Sequence, residues 1–171
     1  MLSILKWIVF IPASFASSVA AWLVSPIAPF FAHDYSLKNT WLWWSTTPNT
    51  DLRGDPDHQA RFHYKNSWIQ QVWWICRNPA VNFQRDFLGV AFTPDDEYHQ
   101  HHKSLKNGGE WKREYLKRDG RMIAWMLFLV WVYPFKKDKA FRLLLGWKCW
   151  DFQSKNPLQH TCRITIWKSV E

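Results

Sequence analysis

The chain has 171 residues, of which 47% are apolar and fourteen are tryptophan, and it carries a net charge of +8. This content fits one folded domain with an appendage and excludes wholesale disorder. Cys76, Cys149 and Cys162 have no C-x-x-C spacing, so neither a zinc ribbon nor a disulfide framework follows. Buried free thiols are the expectation, with a Cys149–Cys162 pair as the alternative in an oxidising compartment. Tryptophan combines an apolar body with one N–H donor, which suits wet edges such as membrane interfaces, protein interfaces and base-stacking surfaces.

Charge is unevenly spread. Residues 33–102 hold six Lys/Arg against eight Asp/Glu, whereas residues 103–171 hold fifteen against six. A basic C-terminal half is attracted to anionic lipid, nucleic acid or an acidic partner.

From Trp7 to Ala32 no residue is charged, a run longer than the ~20 residues that cross a bilayer as a helix. Pro12, Pro26 and Pro29 bend its entry and exit. Three readings stand open. The segment is a retained signal anchor, or a cleaved signal peptide with a Ser18-Val19-Ala20 site, or an arm packed on its own domain. The domain division is accordingly 1–32 as membrane anchor or signal segment and 33–171 as one compact, basic, aromatic-rich domain.

Residues 33–66 are rich in turn formers and read as a long ordered loop pinned by Trp41, Trp43 and Trp44. Ser67 and Gln70 form a capping box for one short helix, which Asn78-Pro79 ends. Its apolar stripe reads as Ile69, Val72, Trp73 and Cys76, to be buried or laid on a membrane. The acidic and histidine-rich run Asp95–His102 reads as a solvated loop.

The last third reads as an antiparallel sheet of about four strands. Asp119-Gly120 is a two-residue hairpin turn between Trp111–Arg118 and the apolar run Met122–Tyr133. That run fits a strand covered on both faces, with a second membrane segment over 122–135 as the rival. Phe141, Leu143, Leu145, Trp147 and Cys149 alternate as one buried face, and Cys162, Ile164 and Ile166 alternate in the final strand. The fold class is α+β.

Weak metal-ligand candidates are Asp95, Asp96, His99, His101 and His102, but their spacing matches no metal motif. Asp51, Asp55 and Asp57 read as turn caps, because the EF-hand order is missing. No nucleophile elbow, phosphate loop or dinucleotide fingerprint is present, so neither catalytic residues nor a cofactor are assigned. Trp111, Lys112, Arg113, Lys117, Arg118 and Arg121 form a basic, aromatic set around the hairpin, suited to lipid headgroups or nucleic acid.

Three pieces taken in order carry a resemblance. They are Trp44 with Leu52-Arg53-Gly54-Asp55, then Trp73–Ala80 with Arg77-Asn78-Pro79 at its end, and Phe141-Arg142-Leu143 leading to Gly146-Trp147. Over about residues 1–150 the chain resembles a family of short tailed-bacteriophage (Caudoviricetes) membrane proteins of unknown function. Many relatives carry aspartate where this chain has Asn49. The resemblance implies a phage origin and a host-membrane setting, and backbone-fixing roles for Gly54, Gly89 and Pro79. It also suggests that Arg77 and Asn78 clamp the Asp51–Asp57 loop. The resulting expectation is a non-enzymatic, membrane-anchored phage accessory protein. Its partners would be anionic lipid and a host envelope component or phage protein, with nucleic acid less favoured. The alternatives are a virion component packing through its apolar N-terminus, and a metal-dependent enzyme using the histidine run.

Overall fold

The computed structural model describes residues 2–48, 51–62, 64, 67–152 and 156–170. It is a mixed α+β fold whose order is α1 (Leu2–Val24), α2 (Pro56–Ala60), α3 (Trp68–Arg77), α4 (Val81–Asp86) and strands β1 (Glu97–Ser104), β2 (Glu110–Arg118), β3 (Arg121–Tyr133), β4 (Lys136–Trp147) and β5 (His160–Ser169). The chain divides into two compact units, residues 1–11 with 88–171, and residues 12–87. The apolar opening segment thus contributes residues to both.

The first unit is a five-stranded antiparallel meander in the order β1-β2-β3-β4-β5. Asp119 and Gly120 both adopt positive φ (50° and 72°), as the tight turn between β2 and β3 requires. Met122–Tyr133 is strand, not a second membrane helix. The sheet has five strands rather than four because most of the run read as a solvated loop, Asp95–His102, lies in β1 (Glu97–Ser104), which pairs along its whole length with β2. It is a polar edge strand exposed nearly throughout, so it lacks the hydrophobic alternation that announces a strand. Its ladder is held by backbone hydrogen bonds, to which side-chain polarity is nearly indifferent.

The buried phase of β4 also differs from the expected one. Ala140, Leu144 and Gly146 are buried with Trp147, whereas Phe141, Leu143 and Leu145 are half-buried. From Leu143 to Trp147 both phases of this strand are apolar, so sequence alternation cannot select between them there. What selects is the cover over the even-numbered face. There Phe152 stacks on Tyr98 at 5.6 Å, Phe92 meets Phe152 at 5.2 Å, and Trp150 stands edge-on to Phe128 at 5.7 Å. Cys149 lies in a 3-10 turn, not in the strand. Ile164 and Ile166 on β5 are exposed.

The second unit is built around the turn-rich loop. Ser67 Oγ accepts from the Gln70 N–H, capping α3 as expected. The face of α3 that is buried is Gln70, Gln71, Trp74 and Ile75, while Ile69 and Trp73 of the expected stripe face outward. The inversion has a polar cause. Gln70 donates its side-chain amide to Arg53 O at 2.9 Å, and its own carbonyl lies 2.9 Å from His58 Nε2. Hydrogen bonds thus draw a glutamine inward where hydrophobicity alone would place a tryptophan. Gly54, at φ +78°, sits beneath Trp74 and His58, where an added Cβ would meet ring atoms at 2.6 and 2.8 Å.

The Arg77-Asn78-Pro79-Ala80 segment joins α3 to α4. Arg77 Nη1 approaches Asp55 Oδ1 at 3.4 Å, and Asp55 caps α2 through the His58 N–H. Asn78 caps α3 through its backbone. Ala80 is left-handed (φ 54°), and the next turn brings Asn82 Nδ2 onto Trp43 O and Thr47 O at 2.7 and 3.0 Å. Arg77 therefore reaches the acidic loop as the resemblance suggests, through Asp55. Asp51 pairs instead with Arg53, and Asn49 lies outside the described residues. All three cysteines are free, Cys149 buried and Cys162 exposed.

Candidate functional site

Strand alternation gives the sheet two faces of different chemistry. On the odd-numbered face of β3 and β4, Leu129, Leu143 and Ile164 stand side by side, as do Leu127, Leu145 and Cys162, and Trp131 faces Phe141. Trp7 of α1 covers one end of this face, 5.1 Å from Trp125 and stacked on His160, with its indole N–H donating to Thr161 O at 3.0 Å. Beyond that, Trp131 and Ile164 are 49% and 61% exposed. On β2 and β1 the same face continues as Trp111 and Arg113, then Lys103 and His101. An apolar surface with a basic, aromatic margin results.

The six residues of the basic set divide accordingly. Trp111 and Arg113 share this face, with Arg113 and Lys117 both over the Tyr115 ring at 5.7 Å. Lys112 points to the opposite face, pairing with Glu110 at 2.9 Å. Arg118 is committed to Asp96 through two hydrogen bonds of 2.7 and 2.8 Å. Arg121 lies exposed at the hairpin turn. Sequence proximity on a strand brings together residues that the pleat then separates.

The metal candidates separate in the same way. Asp96 is buried, and the Arg118 guanidinium holds its carboxyl below the usual carboxylate value. Asp95 is exposed. His99 stacks on Tyr115 at 4.7 Å, with His101 on the same side, while His102 reaches Glu110 at 3.3 Å across the pleat. Among the described residues no group of three or more His, Cys, Asp or Glu side chains is placed to hold a metal ion.

The even-numbered face holds a cavity of about 420 Å³ lined by Tyr98, Gln100, Lys112, Glu114, Cys149, Trp150 and Phe152. Glu114 lies in β2 opposite Met126 and is 1% exposed. Burial raises its carboxyl above the ordinary value, opposed by a hydrogen bond from the Tyr98 hydroxyl and by the Lys112 charge, and assisted by repulsion from Asp151. Gln100 Nε2 donates to Glu114 Oε1 at 3.5 Å, while Oε2 has no hydrogen-bond partner among the described residues. Burial pushes the Cys149 thiol up as well, so it stays protonated and is a poor nucleophile. Nothing in the sequence marks Glu114, one acidic residue within a charged strand; only the pleat makes it a buried group.

A pH test follows from His160. Burial lowers its pKa below 6.5, although its Nε2 lies 3.2 Å from Trp7 O. Between its folded value and 6.5 the unfolded chain binds the extra proton, so stability falls as pH drops below about 6.5. Thermal melts of His160→Gln against the parent from pH 7 to pH 5 check this. The variant is expected to lose less stability across that interval, and equal losses would refute the assignment.

The chain belongs to a family of unknown function (DUF7338), whose model matches residues 1–171. No curated protein and no solved structure matches it.

Proposed function

We propose that this is a non-enzymatic membrane-associated binding protein, seated on lipid by α1 and by the apolar sheet face. The observation that carries the reading is the exposure of α1. The helix is long and apolar enough to cross a membrane, yet only 22% of its most apolar window is buried. Leu2, Val9 and Leu23 are 83%, 70% and 76% exposed. A helix that is apolar along most of its length and largely uncovered by protein is suited to hydrocarbon. In the sheet unit Trp131 and Ile164 add apolar surface, and Arg113 and Lys103 supply cations at its edge, as anionic headgroups favour. Trp7 fastens the start of α1 to the sheet, so the segment serves as part of the fold as well as a lipid contact. The resemblance to tailed-phage membrane proteins extends this to an accessory role in an infected cell, with a host envelope component or another phage protein as the partner.

Flotation of the full chain with vesicles of phosphatidylcholine and phosphatidylglycerol tests the reading. The parent is expected to float with the lipid. Val9→Asp places a charge on the exposed face, where insertion costs about 2.5–3.5 kcal/mol, roughly a hundredfold in partitioning. Ile164→Asp should weaken flotation less, at the shallower margin. A parent that stays in the aqueous fraction sinks the proposal.

A further inference from the structure

We propose that the cavity beside Trp150 binds a small organic ammonium ion, held by the Glu114 carboxylate inside a frame of Tyr98, Phe152 and Trp150. The site does not depend on the apolar face meeting lipid, since it opens on the other side of the sheet.

Glu114 is the anchor because it is buried and only half satisfied. Its Oε1 takes the Gln100 amide, and the Tyr98 hydroxyl bonds the carboxylate, but Oε2 is without a partner among the described residues. A buried acceptor without a donor is costly, and a ligand N–H would remove that cost.

The surrounding charges favour a cation. Lys112 faces Glu114, but its ammonium is shared with Glu110 at 2.9 Å and lies 5.6 Å above the Phe128 ring. Asp151 repels Glu114 and is itself balanced by Lys148. Glu114 therefore has one ammonium beside it, already held by Glu110, and one carboxylate that repels it. Arg142, over the same Phe128 ring at 5.3 Å, is attracted by Glu110, and Arg142 and Arg163 both act on Lys148 as like charges.

The walls fit the same ligand. Tyr98 and Phe152 stack at 5.6 Å, and Trp150, 40% exposed, stands beside them at the cavity. Aromatic faces attract ammonium groups while shedding the water that would otherwise screen the carboxylate. A hard metal ion is the poorer fit, because it demands six or more oxygens and the cavity offers one free carboxylate oxygen.

The test uses the full chain and two isosteric probes, propylammonium chloride and 1-propanol. Binding is read from the Trp150 indole N–H resonance, assigned with Trp150→Phe. Propylammonium is expected to shift that resonance saturably and propanol not to. Glu114→Gln keeps the shape and removes the charge, and should weaken propylammonium binding roughly tenfold or more. If that variant does not fold, Phe152→Ala, which leaves Glu114 and the Trp150 reporter in place, must weaken binding instead. Glycerophosphoethanolamine distinguishes sources: tighter binding than propylammonium identifies a lipid headgroup, and equal binding identifies a free amine. Equal shifts from the amine and the alcohol, no saturable shift, or undiminished binding in Glu114→Gln would each overturn the assignment and leave a solvent-filled cavity.

Discussion

Gly146→Ala is expected to destabilise the protein by about 3–6 kcal/mol, enough to leave little folded material from a domain of ordinary stability. Gly146 lies in β4 at φ +103°, opposite Met126 and Thr161. Two penalties fall together there. An L side chain rarely adopts that backbone conformation, and a Cβ would stand 2.1 Å from the Trp125 carbonyl oxygen and 3.0 Å from Met126 Cα. The obstructing atoms are backbone of the neighbouring strand, so no rotamer change relieves them. Moving β4 aside would break the ladder on both its edges and disturb Trp147, which is fully buried and donates its indole N–H to Leu88 O at 3.0 Å. Gly120→Ala is the control. Its φ of +72° carries the conformational penalty, roughly 1–2 kcal/mol, but open space surrounds it. Denaturant unfolding of the two variants separates strain from collision, and similar losses would mean that Gly146 has no close approach to fear.

The elements legible from sequence were those whose signal is local. Asp119-Gly120 specifies its turn by left-handed backbone, Ser67 caps α3 with its own hydroxyl, and the twelve apolar residues after Arg121 form a strand, although the expected cover on both faces is present on one only, Trp131 being 49% exposed. Gly146-Trp147 was legible as a motif, although its reason, the nearby Trp125 carbonyl, lies in another strand. What sequence could not show depended on partners distant in the chain. Strand β1 is polar because it is an edge, and its only clue is the strand it joins. The buried face of α3 is chosen by Arg53 and His58, 17 and 12 residues before Gln70, against the hydrophobic pattern. Glu114 is indistinguishable from the exposed charges beside it until β3 and the turn after β4 close over it. The basic set around the hairpin was legible as composition but not as a surface, since alternate residues on β2 face opposite ways.

The opening segment is the case in which a local signal and a tertiary one compete, and Trp7→Ala decides between them. The uncharged run reads as an anchor detached from the domain. In the structure Trp7 is 8% exposed, its ring edge-on to Trp125 at 5.1 Å and stacked on His160 at 6.0 Å. Its N–H bonds Thr161 O, and its own carbonyl receives His160 Nε2. Truncating it removes a large buried ring and opens a cavity against Trp125, expected to cost about 3–5 kcal/mol. Leu5→Ala, at a position 55% exposed, should change stability by less than about 0.5 kcal/mol in the same detergent-solubilised full chain. The contrast is the informative quantity, because both residues are apolar and lie within one turn of the same helix. A helix that merely anchors would show the two substitutions alike, each altering membrane retention and neither altering the unfolding midpoint. A helix that belongs to the sheet's own core must distinguish them, with the loss confined to the residue that faces inward.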